Sequence, residues 1–124
     1  MHKLKFTFLL VIIFCVFYTF ALENGLCRVP IMGWNPWNLW QYQEHQFTEA
    51  NMLKQAHAMK ENGFIEAGYK YFNLDDWWMG EQRDNQGKLI GHPTRFPHGM
   101  PWFSDTIHAM GFKLGVYGDR GTMT

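Results

Sequence analysis

The centre of the chain reads YKYFNLDDWW over residues 69–78. Its first six residues are rich in aromatic side chains, so we predict a β-strand over Tyr69–Leu74. Two adjacent aspartates and two tryptophans follow at 75–78, where that strand ends. We therefore predict that residues 75–78 form part of the polar and aromatic floor of a ligand pocket.

Two helices and two further strands are predicted around this stretch. Good helix formers dominate the segment from a capping Thr48 to about Asn62, and Gly63 can stop it. Its apolar positions recur at three- and four-residue spacing, which gives the helix an apolar face. They are Met52, Leu53, Ala56 and Met59, with Lys60 at the same spacing. A second helix is predicted over Trp102–Met110, with Pro101 in its first turn.

Strands are also predicted at Pro30–Trp34 and Lys113–Tyr117, with a long polar loop over Met79–Pro97. The resulting order of strand, helix, strand, helix, strand favours an α/β fold whose parallel strands are joined by right-handed crossovers. An open doubly wound sheet and a (β/α)8 barrel both fit this order. No glycine-rich dinucleotide motif follows the first strand, which disfavours a dinucleotide-binding sheet.

In a barrel, the residues that follow each strand gather at one rim. That rule brings together Trp34, Trp37, Asp75, Asp76, Tyr117 and Asp119. Adjacent aspartates on an extended backbone point in opposite directions, which does not suit the acid and nucleophile of a retaining glycosidase. Carboxylates that accept hydrogen bonds from hydroxyls, beside tryptophan faces that stack on sugar rings, suit a carbohydrate-binding site instead.

Structural roles for the same residues remain open at this stage. The aspartate pair could cap a loop or bind a structural cation, although no loop rich in Asp and Asn supplies the further oxygen ligands. His92 and His98 alone do not make a zinc site, so we expect no metal. Trp34, Trp37 and Tyr117 could equally be core residues.

The chain has 124 residues and no net charge, with 11 basic and 11 acidic side chains, so nothing indicates a nucleic-acid partner. A basic start precedes an apolar run over Phe6–Phe20, and Thr19 and Ala21 fit a cleavage site. We predict a signal peptide over residues 1–21, because 15 apolar residues fall short of the roughly 20 that span a bilayer. Removal of the peptide leaves 124 − 21 = 103 residues. We therefore expect the chain to enter the secretory pathway and to have no stable membrane anchor.

Five stretches of the sequence together resemble glycoside hydrolase family 27, the α-galactosidases and α-N-acetylgalactosaminidases. In chain order they are residues 22–26 (LENGL), 30–37 (PIMGWNPW), 68–78, 95–99 (RFPHG) and 111–119 (GFKLGVYGD). This resemblance covers essentially all 103 residues. It implies a (β/α)8 barrel followed by a β-sandwich domain, with residues 22–124 forming the first three strand–helix units of the catalytic barrel.

The resemblance also implies an activity, the retaining hydrolysis of terminal α-linked galactose in oligosaccharides or glycolipids. The resemblance implies that no cofactor is required. It also points to a homodimer, since full-length family members are often homodimers. The family's sugar-binding aspartates fall on Asp75 and Asp76, its pocket tryptophan on Trp37 and its pocket tyrosine on Tyr117. The family's nucleophile and acid/base aspartates lie on later strands, beyond Thr124. No catalytic residue is therefore assigned, and we expect this chain alone to be an inactive fragment.

The chain departs from the family at its cysteines. The family usually has a cysteine directly after the aspartate pair, bonded to one in the loop after the first strand. This chain has Trp77 at the first position and QYQE at 41–44, and Cys27 loses its only potential partner with the signal peptide. Two alternatives to an α-galactosidase remain open, namely a preference for N-acetylgalactosamine and a non-catalytic sugar-binding role. The choice between secretion and lysosomal delivery is also open.

Overall fold

A computed structural model gives the fold of residues 24–26, 28–40 and 43–119. The predicted signal peptide and Cys27 lie outside these described residues. The chain divides into two compact units, residues 1–30 and 31–124, and the elements below belong to the second. No helix among the described residues has the length and apolar character needed to cross a membrane.

The described residues of the second unit form three strands and three α-helices, with at least one helix between successive strands. In chain order they are β1 (Gly33–Trp34), α1 (Trp37–Trp40), α2 (Glu49–Glu61), β2 (Tyr71–Leu74), α3 (Gly99–Ala109) and β3 (Lys113–Val116), with a 3-10 helix at Glu44–Gln46 before α2. The strands form one sheet in the order β1–β2–β3, and both pairings are parallel. The predicted α/β alternation with parallel strands is therefore confirmed.

Helix α2 follows its sequence signals closely. Thr48 caps it, and the Thr48 hydroxyl accepts a hydrogen bond from the Asn51 amide at 3.3 Å. Just past the last turn, Gly63 adopts a positive φ of 75°, a conformation that suits glycine at a helix end. Met52 and Ala56 are fully buried while Lys60 is exposed, so Lys60 lies at the edge of the apolar face.

The bounds of the other elements differ from the predictions. Helix α3 begins at Gly99, three residues before the predicted Trp102. Pro101 lies in its first turn, where backbone amides have no intrahelical partner, so the proline does not mark the first residue. The three strands are also shorter than predicted. Strand β1 begins only at Gly33, because the Met32 carbonyl accepts from both the Lys70 and Tyr71 amides outside the regular ladder.

The segment predicted as a long polar loop contains a short hairpin. Met79 and Gly91 form an antiparallel bridge, and the Gly80 amide donates to the Ile90 carbonyl at 2.8 Å. At the tip, the Asp84 carboxylate accepts hydrogen bonds from the amides of Gln86 and Lys88 at 2.9 and 2.8 Å. This part of the loop is therefore held by its own backbone pairing.

The hydrophobic core lies between the sheet and helices α2 and α3. Strand β2 buries Phe72 and Leu74, which are 0% and 1% exposed. The core also contains Phe47, Met52, Ala56, Met59, Trp78, Phe96, Phe103, Ile107, Met110 and Phe112. Because side chains alternate along a strand, Tyr71 and Asn73 lie on the other side of the sheet. The hydrophobic core thus fixes the positions of the strands, and with them the loops at their carboxyl ends.

Candidate functional site

The aspartate pair lies where β2 leaves the sheet. The Asp75 carboxylate accepts a hydrogen bond from the Asp76 amide at 2.9 Å through Oδ1. In the same way, Asp76 Oδ1 accepts from the Trp77 amide at 2.8 Å. Each carboxylate therefore uses one oxygen to cap the turn, as the loop-capping alternative requires, and keeps a second oxygen for another role.

The second oxygens of the two aspartates differ in their surroundings. Asp75 Oδ2 accepts from the Asn35 side-chain amide at 2.6 Å, whereas Asp76 Oδ2 meets no donor among the described residues. Asp76 is only half-buried, so this oxygen can accept a hydrogen bond from a ligand hydroxyl. The two carboxylates therefore differ: Asn35 holds Asp75, whereas within residues 24–26, 28–40 and 43–119 the second oxygen of Asp76 has no donor.

Asn35 links the loop after β1 to this pair. While its side-chain nitrogen donates to Asp75, its Oδ1 accepts from the Trp37 amide at 2.8 Å. The position of Trp37 and that of the Asp75 carboxylate are thus set by one side chain. Sequence reasoning missed Asn35 as a site residue, although its place directly after β1 was the available signal.

Two tryptophans meet beside the aspartates. The rings of Trp37 and Trp77 lie with their centroids 5.4 Å apart, at an interplanar angle of 39°. Trp77 also meets the buried Phe47 edge-on, at 6.1 Å. Trp37 remains 37% exposed, which leaves part of its ring open to a ligand. The segments after β1 and β2, which a disulfide usually joins in the family that the sequence resembles, therefore meet here through aromatic rings.

Tyr117 follows β3 and joins the same rim. Its amide donates to the Leu74 carbonyl, and its carbonyl accepts from Trp78 Nε1, both at 2.8 Å. Asp119 raises the pKa of the Tyr117 hydroxyl above its usual 10.0, and burial, Asp76 and Asp75 raise it further. Because anions nearby favour the neutral phenol, Tyr117 is a hydrogen-bond donor at physiological pH. The charges of both aspartates thus act on this hydroxyl.

Trp34 does not belong to the rim, so its predicted place there is wrong. Its ring stacks on Phe72 at 4.8 Å and meets Trp40 edge-on at 6.2 Å. Trp34 pairs with Phe72 in the parallel register, which directs both side chains to the helix-facing side of the sheet. Trp78 is likewise a core residue, at 6% exposed. The site therefore combines Trp37, Asp75, Asp76 and Tyr117 with Asn35 and Trp77.

The histidines considered as metal ligands have structural partners. His92 Nδ1 lies 3.3 Å from the amides of Thr94 and Arg95, and His98 Nδ1 lies 2.6 Å from Glu49 Oε1. Within the described ranges, no group of three or more His, Cys, Asp or Glu side chains is placed to hold a metal ion. The chemistry that the described site offers is hydrogen bonding and aromatic stacking.

Sequence comparison places the chain among glycosidases. The family model described as alpha galactosidase A (Melibiase_2) matches residues 29–124. Chicken α-N-acetylgalactosaminidase is 42% identical over 110 residues, which span 83% of this chain and 27% of that protein. Human α-galactosidase A is 41% identical over 111 residues, 84% of this chain and 26% of that protein. The chain thus spans about a quarter of the length of these relatives.

Structural comparison agrees with the sequence match. The crystal structure of α-galactosidase I from Mortierella vinacea superposes with a TM-score of 0.75 at 37% identity, over 82% of this chain and 25% of that chain. The Saccharomyces cerevisiae α-galactosidase determined with raffinose gives a TM-score of 0.69 at 36% identity, over 77% and 20%. The predicted fold class, the first strand–helix units of a (β/α)8 barrel, is confirmed. The chain belongs to glycoside hydrolase family 27, the α-galactosidases and α-N-acetylgalactosaminidases.

Proposed function

We propose that this chain supplies the galactose-binding half of the pocket of a retaining α-galactosidase. The observation that carries the proposal is that Asp76 Oδ2 has no donor in the part of the chain that the structure describes, beside the fixed Asp75 carboxylate. Asp76 accepts hydrogen bonds from sugar hydroxyls, Tyr117 donates one, and the open part of the Trp37 ring packs on the sugar. The substrate class is terminal α-linked galactose in oligosaccharides or glycolipids.

Galactose binding by the purified chain tests this proposal. In isothermal titration calorimetry we expect saturable galactose binding and weaker glucose binding, because the two sugars differ in the direction of one hydroxyl. Asp76→Asn replaces the charged acceptor by a neutral amide and should weaken galactose binding about tenfold or more. Asp105→Asn, an exposed aspartate on α3, is the matched control and should bind as the parent does. Equal affinities for galactose and glucose would contradict the proposal.

We also propose that this chain alone has no hydrolytic activity. In the family resemblance, both catalytic aspartates lie on strands later than β3, and the carboxylates of Asp75 and Asp76 each cap the turn after β2. We expect no release of nitrophenol from a nitrophenyl α-galactoside above the blank. Turnover that disappears in Asp76→Asn would show this second proposal to be wrong while leaving the sugar-binding proposal intact.

N-acetylgalactosamine is the second candidate sugar, because α-N-acetylgalactosaminidases from chicken and human are among the relatives, at 42% and 39% identity. The two sugars share the hydroxyls that the aspartates would bind and differ at the substituent on carbon 2. A competition titration of galactose against N-acetylgalactosamine separates the candidates. Tighter binding of N-acetylgalactosamine would favour the second.

Entry into the secretory pathway is a further part of the proposal, with secretion or lysosomal delivery as the outcome. It rests on the apolar run and cleavage pattern of residues 1–21. Expression in a secreting eukaryotic cell should yield a chain whose measured mass corresponds to cleavage after Ala21. A recovered chain that retains residues 1–21 would contradict this proposal.

A further inference from the structure

Trp77 has an unusual backbone conformation for a large side chain. Its φ is +68°, and it is the only non-glycine residue with a positive φ in the described part of the chain. A bulky residue adopts this left-handed conformation only where its surroundings impose it. The Trp77 amide donates to Asp76 Oδ1 at 2.8 Å, so the conformation of Trp77 and the direction of the Asp76 carboxylate are coupled.

Arg95 supplies the interaction that holds this backbone. One guanidinium nitrogen of Arg95 donates to the Trp77 carbonyl at 2.8 Å. The Arg95 side chain is only 16% exposed, so this charge-assisted hydrogen bond forms largely away from water. Burial lowers the pKa of Arg95 from its usual value, and the guanidinium still carries its charge at physiological pH.

The other contacts of Arg95 fix its own position. Its second guanidinium nitrogen forms an ion pair with Glu44, in the loop after β1. Its backbone carbonyl accepts from the Glu49 amide, at the start of α2, at 2.7 Å. A planar guanidinium can bond two partners at once in a fixed geometry, which a lysine ammonium cannot reproduce. Arg95 therefore links the loop after β1, the start of α2 and the turn that carries the aspartate pair.

We infer that Arg95 is a positioning residue for the proposed sugar pocket. It holds Trp77 in its left-handed conformation and thereby directs the Asp76 carboxylate toward the sugar. The effect of Arg95 on sugar binding rests on the proposed function. The arrangement of Trp77 itself does not depend on sugar. Among the described residues, Arg95 has no hydrogen bond or ion pair with the proposed sugar contacts Trp37, Asp76 and Tyr117, so its effect passes through the Trp77 backbone.

Hydrogen exchange tests the backbone part without any ligand. Arg95→Lys keeps the charge but loses the planar guanidinium that bonds Trp77 and Glu44 at once. We therefore expect exchange of the Trp77 amide to accelerate about tenfold. The Phe72 amide, in the β2 ladder, should keep its parental rate. Arg83→Lys is the matched control, because the Arg83 guanidinium donates to the Gly87 carbonyl in the exposed hairpin tip. An unchanged Trp77 exchange rate in Arg95→Lys would overturn the inference.

A double-mutant comparison tests the route to the sugar. We expect Arg95→Lys to raise the galactose Kd about tenfold in the parent and less than about twofold in a Trp77→Gly background, because glycine adopts the positive φ unaided. The same loss in both backgrounds would overturn the inference. Were Arg95→Lys to misfold, Glu44→Gln can replace it, because it removes the ion pair between Arg95 and the exposed Glu44. It should raise both the exchange rate of the Trp77 amide and the galactose Kd, each by a smaller factor than Arg95→Lys. A parent chain that binds no galactose would contradict the proposed function, while the exchange experiment would still decide the role of Arg95.

Discussion

Strand β2 contributes to two regions with opposite properties, the helix-facing core and the rim at the carboxyl ends of the strands. In the core, Phe72 and Leu74 are sealed between the sheet and two helices. At the rim, Trp37 and Tyr117 remain 37% and 38% exposed, and one carboxylate oxygen of Asp76 has no described partner. The core thus supplies stability and the rim carries the proposed ligand contacts, so substitutions should separate the two properties.

The largest expected effect is on the core. Phe103 is fully buried on α3 and meets Phe96 edge-on at 5.3 Å. Phe103→Ala leaves a cavity there and should lower the free energy of unfolding by about 3–5 kcal/mol, measured by urea denaturation. Trp102→Ala, on the same helix but 41% exposed in the parent, is the control and should cost much less. Similar losses in both variants would mean that α3 does not seal the core as described.

A smaller effect on stability is expected at the rim. Asn35→Ala removes both hydrogen bonds that join Asp75 to Trp37, yet the site is exposed, so the free energy of unfolding should fall by only about 1 kcal/mol. Galactose binding should weaken about fivefold or more on the same hydrogen-bond scale, because Trp37, a proposed sugar contact, and Asp75, which lies beside Asp76, lose their common support. Asn38→Ala, an exposed neighbour within α1, should change neither quantity. An unaltered galactose affinity in Asn35→Ala would show that the rim does not depend on this link.

The smallest expected effect is electrostatic and involves no loss of packing. Asp119→Asn removes the main cause of the raised pKa of Tyr117, so that pKa should fall toward 10.0. The measurement is a phenolate absorbance titration, with Tyr117→Phe used to assign the transition and Asp105→Asn as the control. An unchanged transition in Asp119→Asn would mean that Asp119 lies too far from the hydroxyl to act on it.

The sign of the stability effect follows from the same shift. With its pKa raised, the folded chain keeps the Tyr117 proton at pH values where the unfolded chain has lost it. The stability that this represents is fully present below about pH 10, the unfolded value, and is lost as pH rises through the folded pKa. Because the phenol is neutral in both the folded and the unfolded chain at neutral pH, Asp119 acts on stability through this group only above about pH 10, and Asp119→Asn should leave the unfolding midpoint at neutral pH nearly unchanged.

Local signals predicted part of the fold well. The cap at Thr48, the apolar positions of α2 and the glycine at its end act within a few residues of one another, so the helix follows from them directly. The start of α3 was missed by three residues, because a proline fits several positions of a first turn equally well. Trp34 was misplaced because its side of the sheet depends on its register with Phe72, which short-range patterns do not contain.

The sequence by itself determined the alternation of strands and helices, the aspartate pair after β2, and the motifs that place the chain in its family. Those features are carried by residue type and spacing along the chain. Only the tertiary structure decided which aspartate oxygen stays open, that Asn35 joins Asp75 to Trp37, and that Arg95 reaches the Trp77 carbonyl. The Asn35–Asp75 and Arg95–Trp77 hydrogen bonds join residues 40 and 18 positions apart, and the turn that directs the Asp76 carboxylate includes the positive φ of Trp77, so packing of the whole unit sets them.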